Sequence, residues 1–531
     1  PSQIIVLATP VFFFFFAIEL AIGHRRQRNT YHLADAMSSI GLGMLSQTSA
    51  VFTRLLRIGI YTALFEHVAL WRNDAFWTSL PGWLLALVFY DFCYYWLHRM
   101  GHESAVLWAA HAVHHQSQDY NLSTALRQTS SGALLGWVFY VPMALAGVPP
   151  LAFGVVALID LLYQFWVHTE QVGRLSWFDR WFCSPSNHRV HHAVNDAYLD
   201  KNYGGILILW DRIFGTFKDE DDKEKCVYGT RGLLNSWDPL WANAQVYAGL
   251  AHDSWHTRRW GDKLRVWLKP PGWRPADVAQ RFPKPAFDIA RMPRYNPAMA
   301  RATRWFACVQ FVLLLAGVSV FLWHADSGPL AHNTAWFAAL LATQWALGAV
   351  VQGRISMPLA LMIEAGALAT ATSAVGWTEW HLVFKPLTMV IAIILVAACA
   401  LSISARGRFY AKPWVTMVLA LVLSLAGDVF LMLHGLFIPG LVSFLGAHLA
   451  YIALFRLGVP WFARRGALVA TLAVGTAMYA FLWAGGLPAA LRGPVAAYVL
   501  VIALMAAQAL GRARALGTSA ARMVAVGACL F

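Results

Sequence analysis

Five histidines fall within eighteen positions where an apolar run gives way to polar sequence: His98, His102, His111, His114 and His115. On a helix, residues three or four apart share a face. His98 and His102 are therefore expected to project together, and so are His111, His114 and His115. A third cluster of the same kind, His188, His191 and His192, lies some seventy residues further on. Histidines that merely tolerate an interface would explain one such pair, but not three clusters at helical spacings. They point to a metal centre at the edge of a membrane. Neutral imidazole suits zinc, copper, nickel and iron. Eight or nine donors exceed a four-coordinate zinc site, which implies two metals, and structural zinc usually recruits cysteine, absent from the clusters. Two irons that activate dioxygen beside a membrane are the sharper reading.

The surrounding chain fits that setting. Hydrophobic residues make up 58% of the 531 and charged residues 13%, as in an integral membrane protein. A formal charge of +14 could suggest nucleic acid. The basic residues sit in loops between apolar runs, where orientation in the membrane accounts for them, so no nucleic-acid partner is expected. The six cysteines are scattered with no C-x-x-C, which indicates neither a disulfide framework nor a thiolate zinc site. The chain begins at Pro1 without a Met and ends at Phe531 inside an apolar segment, and a longer protein is expected around it.

A first span is expected over about 4–22, followed by a cationic flank, Arg25-Arg26-Gln27-Arg28, that should stay cytoplasmic. Residues 36–70 carry Arg54 and Arg57 mid-run and read either as two shorter elements or as one helix. Spans at 81–97, 132–148 and 151–166 follow, and an even number of crossings leaves His168 and the third cluster on the same side as the first two. Residues 170–300 are polar and read as a cytoplasmic cap and linker. Nine further apolar segments start at about 305, 334, 357, 383, 414, 438, 466, 494 and 520. The expected fold is thus an all-α integral membrane protein: a histidine-rich di-iron bundle over 1–220, a cap and linker over 221–303, and a second multi-span bundle over 304–531.

The pattern His98-x3-His102, His111-x2-His114-His115, His188-x2-His191-His192 resembles the fatty acid hydroxylase/sterol desaturase superfamily of membrane di-iron oxygenases. The flanks Trp108, Tyr120–Gln128, Ser186–His192 and Asp200–Gly215 match as well. Within it, His102-Glu103 and Asp119–Gln128 are most similar to the alkylglycerol monooxygenase subgroup. The resemblance covers about residues 30–220. It implies that the eight box histidines hold two irons, with His168 a ninth ligand or a support to one. Glu103 would orient a ligand or hold a reductant. Dioxygen would be used to hydroxylate the ether-linked carbon of an alkylglycerol, giving a hemiacetal that collapses to a fatty aldehyde and glycerol. No haem, flavin or NAD signature appears, so electrons must come from outside. The subgroup implies tetrahydrobiopterin, and the wider superfamily an electron-transfer protein.

In the C-terminal bundle, charges are costly in lipid and usually functional. Glu364, Lys385, Asp428 and His448 are the candidates. Lys385-Pro386, Gly427-Asp428, Gly446-x-His448-x-x-Tyr451 and Gly527–Phe531 resemble the YhhN family, which includes lysoplasmalogenases of the transmembrane protein 86 type. That family continues to a Ser-Asp pair, just past the last residue here. The resemblance implies hydrolysis of vinyl-ether lysolipids to a fatty aldehyde, with Asp428, Lys385 and His448 at the site. Two other readings remain: a general fatty acid or sterol hydroxylase or desaturase with an inactive C-terminal bundle, and a non-enzymatic metal-binding membrane protein. The host membrane is expected to be a bacterial inner membrane or the endoplasmic reticulum.

Overall fold

The computed structural model describes residues 2–404 and 411–530. The described residues are helical and contain no strand beyond two isolated bridges. Ten of the helices are long and apolar enough to cross a membrane, as lipid demands of a backbone that must satisfy its own polar groups. The chain is an all-α integral membrane protein. It divides into two compact units, Pro1–Ile355 and Ser356–Phe531.

The first unit begins with α1 (Ser2–Arg25) and α2 (Leu33–Val68). Of the run 36–70, residues up to Val68 thus form one continuous helix; the side chains of Arg54 and Arg57 lie outside the described residues. Helix α3 (Leu80–Glu103) opens on Ser79, whose hydroxyl accepts from the Gly82 amide, with Pro81 where a missing N–H costs nothing. It stops at Ser104, whose extended backbone turns the chain into α4 (Ala105–His115). The run expected to span at 132–148 is instead broken into two single turns and a 3-10 turn between Gly132 and Leu145, with Pro142 in its last piece. With the 17-residue α5 (Pro150–Trp166) it forms a short hairpin. Helix α6 (Pro185–His192) carries the third cluster. Helices α7 (Pro239–His256) and α8 (Trp260–Leu268) form the cap.

Helices α9 (Arg301–His324) and α10 (Leu330–Val351) belong to this first unit in the structure. Phe311, Leu314, Val318 and Leu347 pack in one core with Phe16, Met37, Ile40 and Met44. The sequence could not show this, because any apolar helix satisfies lipid and its partner is chosen by shape.

The second unit runs through α11 (Met357–Ala374), α12 (Thr378–Ser404), α13 (Ala411–Met432), α14 (Phe437–Arg456), α15 (Arg465–Ala484), α16 (Ala489–Leu516) and α17 (Ser519–Leu530). Each follows an apolar segment of the sequence.

Candidate metal centre

Nine histidines converge from α3, α4, the end of α5 and α6. Their nitrogens form two groups, each with all donor atoms within 4.8 Å: His98, His102, His111, His115 and His191 in the first, His114, His168, His188 and His192 in the second. The boxes do not map onto the groups one to one. Residues four apart on a helix differ by about 40° around its axis, whereas the third residue lies about 60° to the other side. His111 and His115 therefore share a group while His114 joins the other, contrary to the expectation that all three project together. The same rotation sends His188 and His192 to the second group and His191 to the first.

Backbone carbonyls fix which nitrogen each ring presents. Nδ1–H of His98 donates to Tyr203 O at 2.8 Å, that of His114 to Arg127 O at 2.9 Å, that of His168 to Gln164 O at 2.7 Å, and that of His191 to Lys201 O at 3.0 Å. A carbonyl accepts only, so each of these rings keeps a bare lone pair on Nε2. Yet His114 and His168 bring their Nε2 atoms to 3.1 Å, and His188 and His168 do the same. In the first group, His98 and His111 stand at 3.2 Å and His111 and His115 at 3.0 Å. Between His114 and His168 both facing nitrogens are bare, and facing lone pairs repel unless a cation lies between them. Two nitrogens each about 2.1 Å from one ion, at a right angle to it, stand about 3 Å apart. Nε2 of His102, His191 and His192 is buried with no hydrogen-bond partner among the described residues.

Protonation is a poor alternative. Burial pushes His114 down to about 4. Burial and then the neighbouring His114 hold His168 and His192 well below the usual imidazole range. The donor set fits a metal, and its all-imidazole chemistry is consistent with iron.

A second layer positions these carbonyls. Asp211, fully buried, accepts from the amides of Tyr203 and Gly204, both at 2.8 Å, and from the Thr216 hydroxyl at 2.6 Å. Asp91 accepts from the Ile206 and Leu207 amides at 2.7 and 3.0 Å and from Trp210 Nε1 at 2.8 Å. Together they clamp the loop whose Tyr203 carbonyl orients His98. A Cβ on Gly205 would come within 2.6 Å of Asp160 and 2.9 Å of Asp91, so the clamp closes only on glycine. Buried Arg127 donates to Val113 O at 2.8 Å while its own carbonyl holds His114. Asp91, Asp211 and Gln164 received no role from the sequence; an aspartate inside an apolar run, as at 91, is the one signal that could have drawn notice. Glu103 turns back to Arg99 Nε at 2.8 Å, and the carboxylate beside His102 Nδ1 is that of Asp200, at 3.5 Å.

Two cavities reach the histidines. A larger one of about 450 Å³, with a lining of mixed polar and apolar residues, meets the first group at His102, His115 and His191 and is also lined by Trp108, Trp273 and Arg274. An apolar one of about 130 Å³ meets the second group at His114 and His168, between Phe12, Leu126, Phe165 and Val318.

In the second unit, Lys385 Nζ stands 3.1 Å from Asp428 Oδ1. His448, fully buried one helix on, directs Nδ1–H to Phe444 O at 2.5 Å and sets its ring edge-on to Tyr498. Glu364 is also buried.

The fatty acid hydroxylase family model matches residues 83–216, the stretch that carries all nine of these histidines. The YhhN family model matches residues 380–531. Alkylglycerol monooxygenases of Homo sapiens and Xenopus tropicalis are 36% and 37% identical to this chain over 311 and 310 residues, 58% of it in each case and 69% and 68% of their own lengths. That of Danio rerio is 37% identical over 321 residues, 58% of this chain and 68% of its own. The chain belongs to the alkylglycerol monooxygenase family, joined to a YhhN region. No solved structure matches significantly.

Proposed function

We propose that the histidine groups hold two irons, one each, and that the N-terminal region hydroxylates the ether-linked carbon of alkylglycerols with dioxygen, releasing a fatty aldehyde and glycerol. The facing lone pairs of His114 and His168 carry this reading, because a buried pair of that kind calls for a cation between them. Iron bound there would supply the reduction of dioxygen and the oxidation of a C–H bond. The chain's own residues do the rest. Phe12, Leu126, Phe165 and Val318 take the alkyl chain to the second group and exclude water. The larger cavity, of mixed lining, lies within the size range of small-molecule sites and suits tetrahydrobiopterin as electron donor; an external electron-transfer protein is the other source. The arginines after α1 favour a cytoplasmic placement of the centre. The functional division proposed is 1–220 for oxygenation, completed by α9 and α10 of the same unit, 221–303 for cap and linker, and the second unit from Ser356 for the YhhN-like bundle.

For that bundle we propose hydrolysis of vinyl-ether lysolipids. Lys385 pairs with Asp428 and positions its carboxylate to take a proton from the attacking water, while a general acid protonates the vinyl carbon. The resulting hemiacetal falls apart to a fatty aldehyde.

Purified protein should contain about two irons per chain, fall in iron on His114→Ala, and release aldehyde from alkylglycerol with dioxygen and reduced pterin. Intact protein free of iron would end this reading. The vinyl-ether activity should need no oxygen and should stop on Asp428→Asn; cleavage that survives this change removes Asp428 from the site.

A further inference from the structure

The cap carries an apolar helix face that no described residue covers. Helix α8 buries Val266, 1% exposed, and Asp262 against the cap. On the opposite face Trp260, Leu264 and Leu268, each four residues from the next, are 82%, 70% and 68% exposed. Trp255, at the end of α7, is equally open and extends the patch. Around it stand Arg258, Arg259, Lys263, Arg265 and Lys269, with Asp262 the sole carboxylate between residues 257 and 269. A solvated helix would show charge on that face, not tryptophan and leucine.

The placement of α7 and α8 says what covers the face. At the far end, the Ala105 amide donates to Lys269 O at 2.9 Å, two residues after the membrane-crossing α3 ends at Glu103. At the near end, Trp345 Nε1 donates to Asp238 Oδ2 at 3.1 Å, and the backbone of Trp237 fits against Gly348 in the last turns of α10, another helix of membrane-crossing length. The segment is thus pinned at both ends to the ends of two spans. A helix held at that level, apolar on one side and ringed by cations, has the composition of an in-plane interfacial helix.

We propose that the Trp255/Trp260/Leu264/Leu268 face lies in the lipid–water interface of the membrane this chain crosses, with Arg258 and Arg259 on lipid phosphates and a preference for anionic headgroups. The next residues, Pro270 to Trp273, line the larger cavity. The helix therefore sets the mouth of that cavity at the bilayer surface.

The test uses the full chain in lipid nanodiscs, with an environment-sensitive fluorescent amino acid at position 264. Position 84 in α3 serves as a lipid-facing control, and position 222, whose side chain is 90% exposed in the polar region, as an aqueous one. Phosphatidylcholine with brominated chains should quench the probe at 264 and at 84 several-fold more than at 222. Adding phosphatidylglycerol should deepen quenching at 264, and Arg258→Glu with Arg259→Glu should remove that increment. A probe at 264 that is quenched no more than one at 222, in either lipid, overturns the proposal and leaves the face to a protein partner.

Discussion

His114 and His168 meet through Nε2 atoms 3.1 Å apart, each ring held by a carbonyl on its other nitrogen, Arg127 O and Gln164 O. Neither can rotate away without losing its Nδ1 bond. With metal between them the contact binds; without it the same contact repels. Because binding to a site absent from the unfolded chain adds to folding free energy, a chelator should lower the unfolding temperature of the purified protein. His168→Ala should cost about one iron per chain and, by analogy with lost ligand support, about 10–100-fold in affinity for the rest. Elemental analysis with calorimetry checks both; an unchanged iron content would remove His168 from the ligand set.

Asp211 tests the second layer. Asn at 211 would present an NH₂ to donors that need an acceptor, leaving buried amides unsatisfied at a cost of about 3 kcal/mol. The Tyr203 carbonyl should then lose its hold on His98, so weaker metal retention against a competing chelator is expected together with the stability loss. Asp211→Glu, which keeps the charge, should recover part of the retention.

Glu220 gives a pH dependence. Its burial favours the neutral acid, but Arg189, at 2.7 Å, outweighs that and holds the carboxyl below its ordinary value. A depressed folded value means stability that is present above the unfolded value of about 4.3 and lost as pH falls through the folded one. Glu220→Gln should therefore cost about 2 kcal/mol at neutral pH, discounted for partial exposure. Denaturation profiles of parent and variant should converge in acid. Parallel profiles would show that the pair contributes through packing alone.

Val318 lines the apolar cavity with 5% of its surface exposed. Phe at this position should shorten the cavity by two or three methylenes, about 2 kcal/mol of chain burial, or about thirtyfold in kcat/KM for long alkylglycerols. Short-chain substrates should lose much less. Equal losses at all chain lengths would place the alkyl chain elsewhere.

Much of this centre was legible in the histidine spacing, and the apolar runs revealed the helices that carry it. The spacing also held the partition into two groups, since an i, i+4 pair stays together and the i+3 residue turns away. Reading each box as one face obscured that. His168 could be suspected only through family likeness, because a lone histidine after an apolar run has no periodicity to argue from. The roles of Asp91 and Asp211 were not legible, although an aspartate in an apolar run is a signal at 91: their partners are backbone amides more than a hundred residues away for one and a loop turn away for the other. Packing, not polarity, decided where α9 and α10 belong, and a hydropathy pattern carries no record of shape. The short hairpin between 132 and 166 was overestimated for the same reason, since Pro142 and three different turns look like one apolar run.

The order in which the nine imidazoles leave the ribosome has its own consequence. The first group lacks His191 and the second lacks His188 and His192 until α6 has been made, after every membrane element up to α5. Both histidine groups therefore complete together, once the hairpin has doubled back and before α7 to α17 are made. A nascent chain arrested before residue 188 would present nitrogens from α3, α4 and His168 with neither group closed, and metal supply has to match a stage at which α7 to α17 are still to be made.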